Sequence, residues 1–339
     1  EVITEPISDQ LATSISNMED ADASIKSEVK SEFQEYLKKT ETTRNIEAHR
    51  VDTYLQELRS VQNDMYRQKN ASTFAELGLS TNDIIKSEMQ APVYIINVHK
   101  NDIPRLAKHP KITAIYYYEN EVMVPEGNTI SEVMDGSTID RIRSDVNLTG
   151  NGVKLGVIDA GKVEPGSEIA ASRVTYVNPS ASTYHYHSTN VARIAAGTNG
   201  VAPNAQIYSS SGNLIDAITN LSNAGVKVAN YSMGSDRTVP YTPLEIYVDF
   251  IVRQKRFLLV KSAGNSHGVI TSPGLAYNVI TVGGFFNQGT TNHNDDVMYA
   301  NSNYDNTTGC HKPDFVADQS NVNGTGTSYA APFVTGTIA

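Results

Sequence analysis

The sequence predicts an α/β protein: a three-layer fold with a mainly parallel sheet, preceded by a small α+β module and amphipathic N-terminal helices. Three observations predict it. From residue 151 onward, short apolar runs alternate with segments of helical periodicity, the pattern of strands joined by crossover helices. Runs such as Val153-Lys-Leu-Gly-Val-Ile158 are almost wholly apolar, which suits a parallel sheet covered on both faces. Residues from 6 to about 70, by contrast, are charged, nearly free of glycine and proline, and carry apolar side chains at helical spacing.

The N-terminal stripes are Ile7, Leu11, Ile15 and Met18, then Ile25, Val29, Phe33 and Leu37, then Val51, Leu55, Leu58, Gln62 and Met65. They predict about two or three amphipathic helices, read as a spacer that packs on its neighbour. Residues 1–70 are therefore assigned to a helical extension, possibly belonging to a pro-region in the sense developed below, and 71–125 to the small module. In that module Ala91–Val98 and Ile112–Tyr118 are rich in β-branched and aromatic residues and read as strands. Between them Asn101 is placed to cap a short helix through Leu106 and Lys108, closed by Pro110. Val122–Val124 extends the chain, and Pro125-Glu-Gly-Asn128 reads as a linker.

Residues 126–339 form the large domain. After the strand ending at Asp159, Ser188–Ala196 reads as a helix and Ala205–Tyr208 as a strand. Leu214–Ala224 is a helix and Val226–Tyr231 a strand. Pro243–Gln254 is a helix, and Phe257–Lys261 and Asn278–Val282 are strands. Ligands of such a sheet belong where its strands end. Gly324-Thr-Gly-Thr-Ser328 reads as a tight turn delivering one serine to a helix, with Pro332 suited to a first helical turn. Ala330, Ala331 and Gly336 are small, as a helix pressed closely on a sheet requires.

Composition limits the function. A net charge of −10 argues against nucleic acid as the main partner. No apolar run reaches the length of a membrane span. One cysteine, Cys310, excludes an intrachain disulfide framework. The chain begins at Glu1 rather than Met, as after removal of a leader. Its expected location is secreted or cell-surface, in a bacterium.

Strand ends and turns carry the groups acyl transfer requires. Asp159 ends the first strand of the large domain, His187 stands just before a helix, Asn265 follows the strand ending at Lys261, and Ser328 opens the last helix. A serine hydroxyl needs a base to take its proton. The imidazole needs a carboxylate to hold one tautomer. The tetrahedral intermediate needs donors, which the Asn265 amide and the Ser328 backbone N–H can supply. Singly each has an ordinary structural role: a strand-end cap for Asp159, a turn for Asn265, a helix cap for Ser328, and one histidine of eight for His187.

In this order the four residues and the stretches around them resemble the subtilisin-like serine proteases, or subtilases, whose triad runs Asp, His, Ser along the chain. The matching stretches are Val157-Ile-Asp-Ala-Gly161, His187-Ser-Thr-Asn-Val-Ala192, Gly200-Val-Ala-Pro203, Tyr231-Ser-Met-Gly234, Ala263-Gly-Asn265, Lys312-Pro-Asp314 and Gly326-Thr-Ser-Tyr-Ala-Ala-Pro332. The resemblance implies a subtilisin-like fold and a serine endopeptidase acting on protein or peptide substrates through an acyl-enzyme. Ser328 would be nucleophile, His187 general acid/base, Asp159 its orienter and Asn265 the oxyanion donor. Ser232, Met233 and Gly234 would pair with the substrate backbone as an added strand. Ser262, Ala263 and Gly264, with the region of Thr271, would form the primary specificity pocket. Residues from about 92 to 124 resemble the second half of the family's inhibitory propeptide. That implies a zymogen or self-inhibited precursor with its own propeptide as intramolecular inhibitor, cut between about Met123 and Gly136. A bond with Pro125 on its leaving side would be a poor substrate.

Several positions depart from the family pattern. Ala160-Gly161 replaces Ser-Gly or Thr-Gly, Ser188-Thr-Asn190 replaces Gly-Thr-His, Arg193 stands where a small residue is common, and Tyr329 replaces methionine. These substitutions are expected to crowd the site and lower the rate or narrow specificity. They leave open a second function, a catalytically impaired pseudoprotease acting as a binding or regulatory protein. No cofactor is required for the chemistry. No metal site is expected: the calcium loop often inserted before Gly200 is missing, and Asp295-Asp296 and His185-Tyr-His187 have no supporting ligand set. Structural calcium elsewhere stays open without an assigned site. The catalytic domain is expected to be truncated at Ala339, within the helix that Ser328 opens.

Overall fold

The computed structural model describes residues 2–4, 60–61, 64–65, 67–79, 84–86, 93–115, 124–125, 149–177, 183–235, 241–288, 294–304, 311–319 and 326–339. The expected helices over residues 7–37 lie outside the described residues, as does Cys310. The chain divides into two compact units, Glu1–Glu119 and Asn120–Ala339.

The first unit contains β1 (Val2–Thr4), α1 (67–77), β2 (Ile84–Lys86), β3 (Val93–Ile96), α2 (Ile103–Leu106) and β4 (Ile112–Ile115). Its sheet runs β2-β3-β1-β4, with β1 antiparallel to both β3 and β4. Three residues at the chain's start thus fill the middle of the sheet; so short a strand carries too little alternation to be read from sequence. α1 runs through the expected 70/71 boundary. Its residues Asn70, Thr73, Phe74 and Leu77 are buried at helical spacing. It ends where Gly78 takes a φ of +66°, with Gly78 N–H donating to the Ala75 carbonyl and Leu79 N–H to the Phe74 carbonyl. α2 is shorter than expected. Asp102, not Asn101, stands at its N-cap without a side-chain cap bond, because Pro104 in the first turn sets the start instead. Leu77, Leu106 and Ile112 form the core of this unit.

The second unit is the three-layer α/β fold. It begins with β5 (Val124–Pro125), which joins the last residue of the expected 122–124 extension to the first of the expected linker, then β6 (Lys154–Asp159), β7 (Val174–Tyr176), α3 (Tyr186–Ala196), β8 (Gln206–Ser211) and α4 (Leu214–Asn223). β9 (Val228–Tyr231), β10 (Met233–Gly234), α5 (Pro243–Lys255), β11 (Leu258–Ser262) and β12 (Val279–Phe286) follow. The last elements are β13 (Val297–Met298), β14 (Phe315–Asp318) and α6 (Thr327–Ile338). The main sheet is ordered β13-β12-β11-β9-β6-β8-β7, with β14 also on β12; every pairing is parallel except β12 with β13.

Alternation along the strands decides which helix covers which face. Leu155 and Val157 of β6 pack with Val191, Ala192 and Ala195 of α3. Val228, Val260 and Val282 pack with Ala330 and Ala331 of α6. On the other face Gly156 admits α4: a Cβ there would meet Leu221 Cδ1 at 3.1 Å and Ala229 Cβ at 2.6 Å. α5 packs against α4 and starts with a capping box, Thr242 with Glu245. β7, β13 and β14 were not legible as strands, being short and, in part, exposed.

Candidate active site

β6 delivers Asp159 at its C-terminal end, where the side chain is fully buried. Asp159 Oδ1 accepts from Ala160 N–H at 2.7 Å and from Ser188 Oγ at 3.1 Å. His187 Nδ1 lies 2.9 Å from both Asp159 carboxylate oxygens. An acceptor-only carboxylate at that nitrogen puts the ring proton on Nδ1. His187 is held by α3, as its second residue rather than just before it. The side chain of His185 caps the helix, its Nδ1 accepting from His187 N–H at 3.2 Å. His187 Nε2 is buried and has no hydrogen-bond partner.

Ser328 is the second residue of α6 and fully buried. Pro332 is not in the first turn but inside the helix. A proline there leaves the carbonyl four residues back, that of Ser328, without its helical donor. Ser232 supplies one: its Oγ donates to the Ser328 carbonyl at 2.9 Å, and Ser328 Oγ donates to the Ser232 carbonyl at 3.1 Å. α6 and α3 touch through their backbones, since a Cβ on Gly336 would stand 2.7 Å from the Ala195 carbonyl. The site thus holds two bonded pairs, Asp159 with His187 and Ser328 with Ser232, with no hydrogen bond joining Ser328 Oγ to His187 Nε2.

Tyr329 lies over His187, ring centroids 5.9 Å apart. Burial pushes its phenol well above the ordinary range, and Tyr186 and Asp159 add to the shift, so it stays neutral beside the imidazole. The crowding expected from Arg193 is not seen. Its guanidinium points to Asn190 Oδ1 at 3.2 Å and Glu168 at 4.0 Å.

Asn265 meets α6 from the other side. Its Oδ1 accepts from Thr327 N–H at 2.8 Å, and Thr327 Oγ1 accepts from Gly264 N–H at 3.0 Å. The amide oxygen bound to the helix start turns the amide nitrogen away from it. Gly264 has a φ of +104°, and a Cβ there would stand 2.4 Å from Asn303 Nδ2. Asn303, which sequence reasoning missed, organises this loop. Its Oδ1 accepts from Ser266 and Gly268 N–H, and its Nδ2 donates to the Val269 carbonyl. Asn303→Ala is expected to destabilise the fold by about 1–3 kcal/mol, read from the urea midpoint.

The remaining predicted residues surround one edge. β10 (Met233, Gly234) lies beyond Ser232 and pairs antiparallel with β5, in the register Met233↔Pro125 and Gly234↔Val124. Ser262, Ala263 and Gly264 follow β11, and Thr271 N–H donates to the Ala263 carbonyl at 3.1 Å. Ser235 and Ser272 form a bridge that joins the two segments. Two further residues escaped sequence reasoning because only tertiary contacts define them: Ser188, which supports Asp159, and Lys261, whose ammonium reaches Thr271. Among the described residues no group of three or more His, Cys, Asp or Glu could hold a metal, and no helix is long and apolar enough to cross a membrane.

Residues 150–339 match the family model described as the subtilase family. Similar solved structures include the prenylagaramide maturation protease PagA, at 20% identity and TM-score 0.44, over 58% of this chain and 77% of that one. Another is the patellamide maturation protease PatA, at 22% identity and TM-score 0.43, over 56% of this chain and 77% of that one. No curated protein matches the chain.

Proposed function

Because the chain belongs to the subtilase family of serine peptidases, we propose that it is an endopeptidase working through Asp159, His187 and Ser328, held as a self-inhibited precursor. The observation that carries the reading is the buried Asp159–His187 pair, whose second ring nitrogen is unpartnered, on a helix packed against the one bearing Ser328. Ser328 Oγ leaves the Ser232 carbonyl, gives its proton to His187 Nε2 and attacks the substrate carbonyl. Asp159 stabilises the imidazolium. The oxyanion takes hydrogen bonds from the Asn265 amide and the Ser328 N–H. Collapse of the intermediate releases the amine, which takes the proton from His187. Water then hydrolyses the acyl-enzyme by the same steps. Such rearrangement is ordinary, since catalytic hydrogen bonds often tighten only when substrate binds.

Self-inhibition is supported by β5. It adds an antiparallel strand to β10, the edge that the family resemblance assigns to substrate backbone. The competing reading, an impaired protease that binds rather than cleaves, is favoured by one feature: Ser328 is bonded to Ser232 and not to His187. A fluorophosphonate probe separates them. The peptidase reading expects covalent labelling of the chain that disappears in Ser328→Ala. Absence of labelling in folded protein, after the segment before residue 127 has been cut, overturns it.

A further inference from the structure

β9 lies in the middle of the main sheet, and on the face it turns to α6 one residue, Asn230, is polar. Its register partners are Val157 on β6 and Val260 on β11, and its side chain is fully buried. An amide in that position costs stability unless both of its ends are bonded. Both are. Nδ2 donates to Ser232 Oγ at 2.8 Å, and Oδ1 accepts from Thr335 Oγ1 of α6 at 3.1 Å. Ser232, Ser328 and Thr335 are fully buried as well.

The direction of this chain of bonds is fixed from its far end. The Ser328 carbonyl can only accept, so the Ser232 hydroxyl must give its one proton there, at 2.9 Å. Ser232 Oγ then offers only lone pairs, and Asn230 has to present its nitrogen to it. The amide oxygen is left for Thr335, whose hydroxyl also lies 3.0 Å from the Ala331 carbonyl. The carbonyl at the end of the chain is the one that Pro332 deprives of a helical donor. In the resting site Ser328 and Ser232 are tied twice, because Ser328 Oγ donates back to the Ser232 carbonyl. Once that hydroxyl turns to His187, the bond from Ser232 Oγ is the one of the two that remains.

Resting on the serine-peptidase reading above, we propose that Asn230 is a positioning residue for the nucleophile. It aims the Ser232 hydroxyl at the Ser328 carbonyl, so that the main chain of Ser328 keeps its place while Oγ moves. Thr335 sets which way the amide faces. Asn230 therefore acts on Ser328 through Ser232 and touches no substrate.

The test uses the full chain, cut before residue 127 as above, and a fluorophosphonate probe at saturating concentration. The fraction finally labelled counts folded sites, and the limiting rate reports how reactive Ser328 is in each. Ser232→Ala and Asn230→Leu are each expected to slow that rate about 10-fold, the size of one buried acceptor left without its donor. The double variant is no slower than Ser232→Ala, since Asn230 works only through that hydroxyl. Ser232→Thr, which retains the hydroxyl, recovers most of the rate. Asn230→Asp, an acceptor of the same shape when ionised, draws the Ser232 proton away from Ser328 and is as slow as Asn230→Leu. A cross-link that only holds the fold together would lower the urea midpoint and the labelled fraction but leave the limiting rate unchanged. That result, or losses that add in the double variant, overturns this inference and leaves the peptidase reading standing. A folded, unaltered chain that takes no label overturns both. If Asn230→Leu does not fold, Thr335→Val decides. Without the Thr335 proton the amide can turn its oxygen toward Ser232, so the rate falls only while Ser232 is present; an unchanged rate overturns the inference.

Discussion

Replacing Ser328 with alanine is expected to lower kcat by a factor on the order of 10⁶, a magnitude that is subtilisin's own. The size follows from what is lost. Without Ser328 Oγ there is no acyl-enzyme, and only binding and the Asn265 and backbone donors still favour the transition state. His187→Ala should cost about as much, because its Nε2 is the proposed acceptor for the proton of that hydroxyl and an unactivated serine is a poor nucleophile. The double variant should be scarcely worse than either single one. Groups that act as a unit are lost together, so the two effects do not add. Pre-steady-state burst and kcat measurements on the three variants check this. Clearly additive losses would mean that Ser328 and His187 act separately.

Asp159→Asn is expected to reduce kcat about 10⁴-fold. The carboxylate does more than sit near the ring. It accepts from His187 Nδ1 with both oxygens, and from Ala160 N–H and Ser188 Oγ with one. An asparagine retains the shape but can turn an N–H₂ group toward Nδ1, which forces the ring proton onto Nε2, the atom required as base. The Ser188 hydroxyl and Ala160 N–H, both donors, would meet one end of the amide and bias its orientation. Ser188→Ala, which removes only one of these bonds, should cost far less, about 1 kcal/mol in kcat/KM. The kcat/KM series for the two variants, with circular dichroism to verify folding, checks the ranking. Equal losses would place the orienting function outside Asp159.

Much of the fold was legible because parallel strands covered on both faces announce themselves as apolar runs. Residues 154–159, 228–231 and 258–262 did so, and Leu214–Asn223 and Pro243–Lys255 carried helical periodicity between them. Asp159 closes β6, Asn265 follows β11, and His187 and Ser328 each stand in the first turn of a helix, so all four lie where one pattern gives way to another. Contacts between distant segments left no such trace. Nothing local distinguishes Asn303, which lies far along the chain from the loop it ties, or the lysine of β11, which looks like any strand residue until Thr271 is seen beside it. Pro332 misled for a physical reason. Its cost inside a helix is offset by Ser232, 100 positions earlier, and a helix pattern cannot report a donor from another strand. Val124–Pro125 misled likewise, because two residues are too few to alternate.

The contact between α3 and α6 bears on what has to move when the site assembles. Each helix carries one of the two groups proposed to exchange a proton, and at Gly336 a Cβ would meet the main chain of α3 at the Ala195 carbonyl. A joint of that kind has little give: sliding either helix would drive backbone into backbone. The travel from the Ser232 carbonyl to His187 Nε2 then falls to the Ser328 side chain, by rotation about its Cα–Cβ bond. In the proposed mechanism, arming the nucleophile is therefore a local side-chain event that needs no movement of either helix, while activation additionally requires β5 to leave β10.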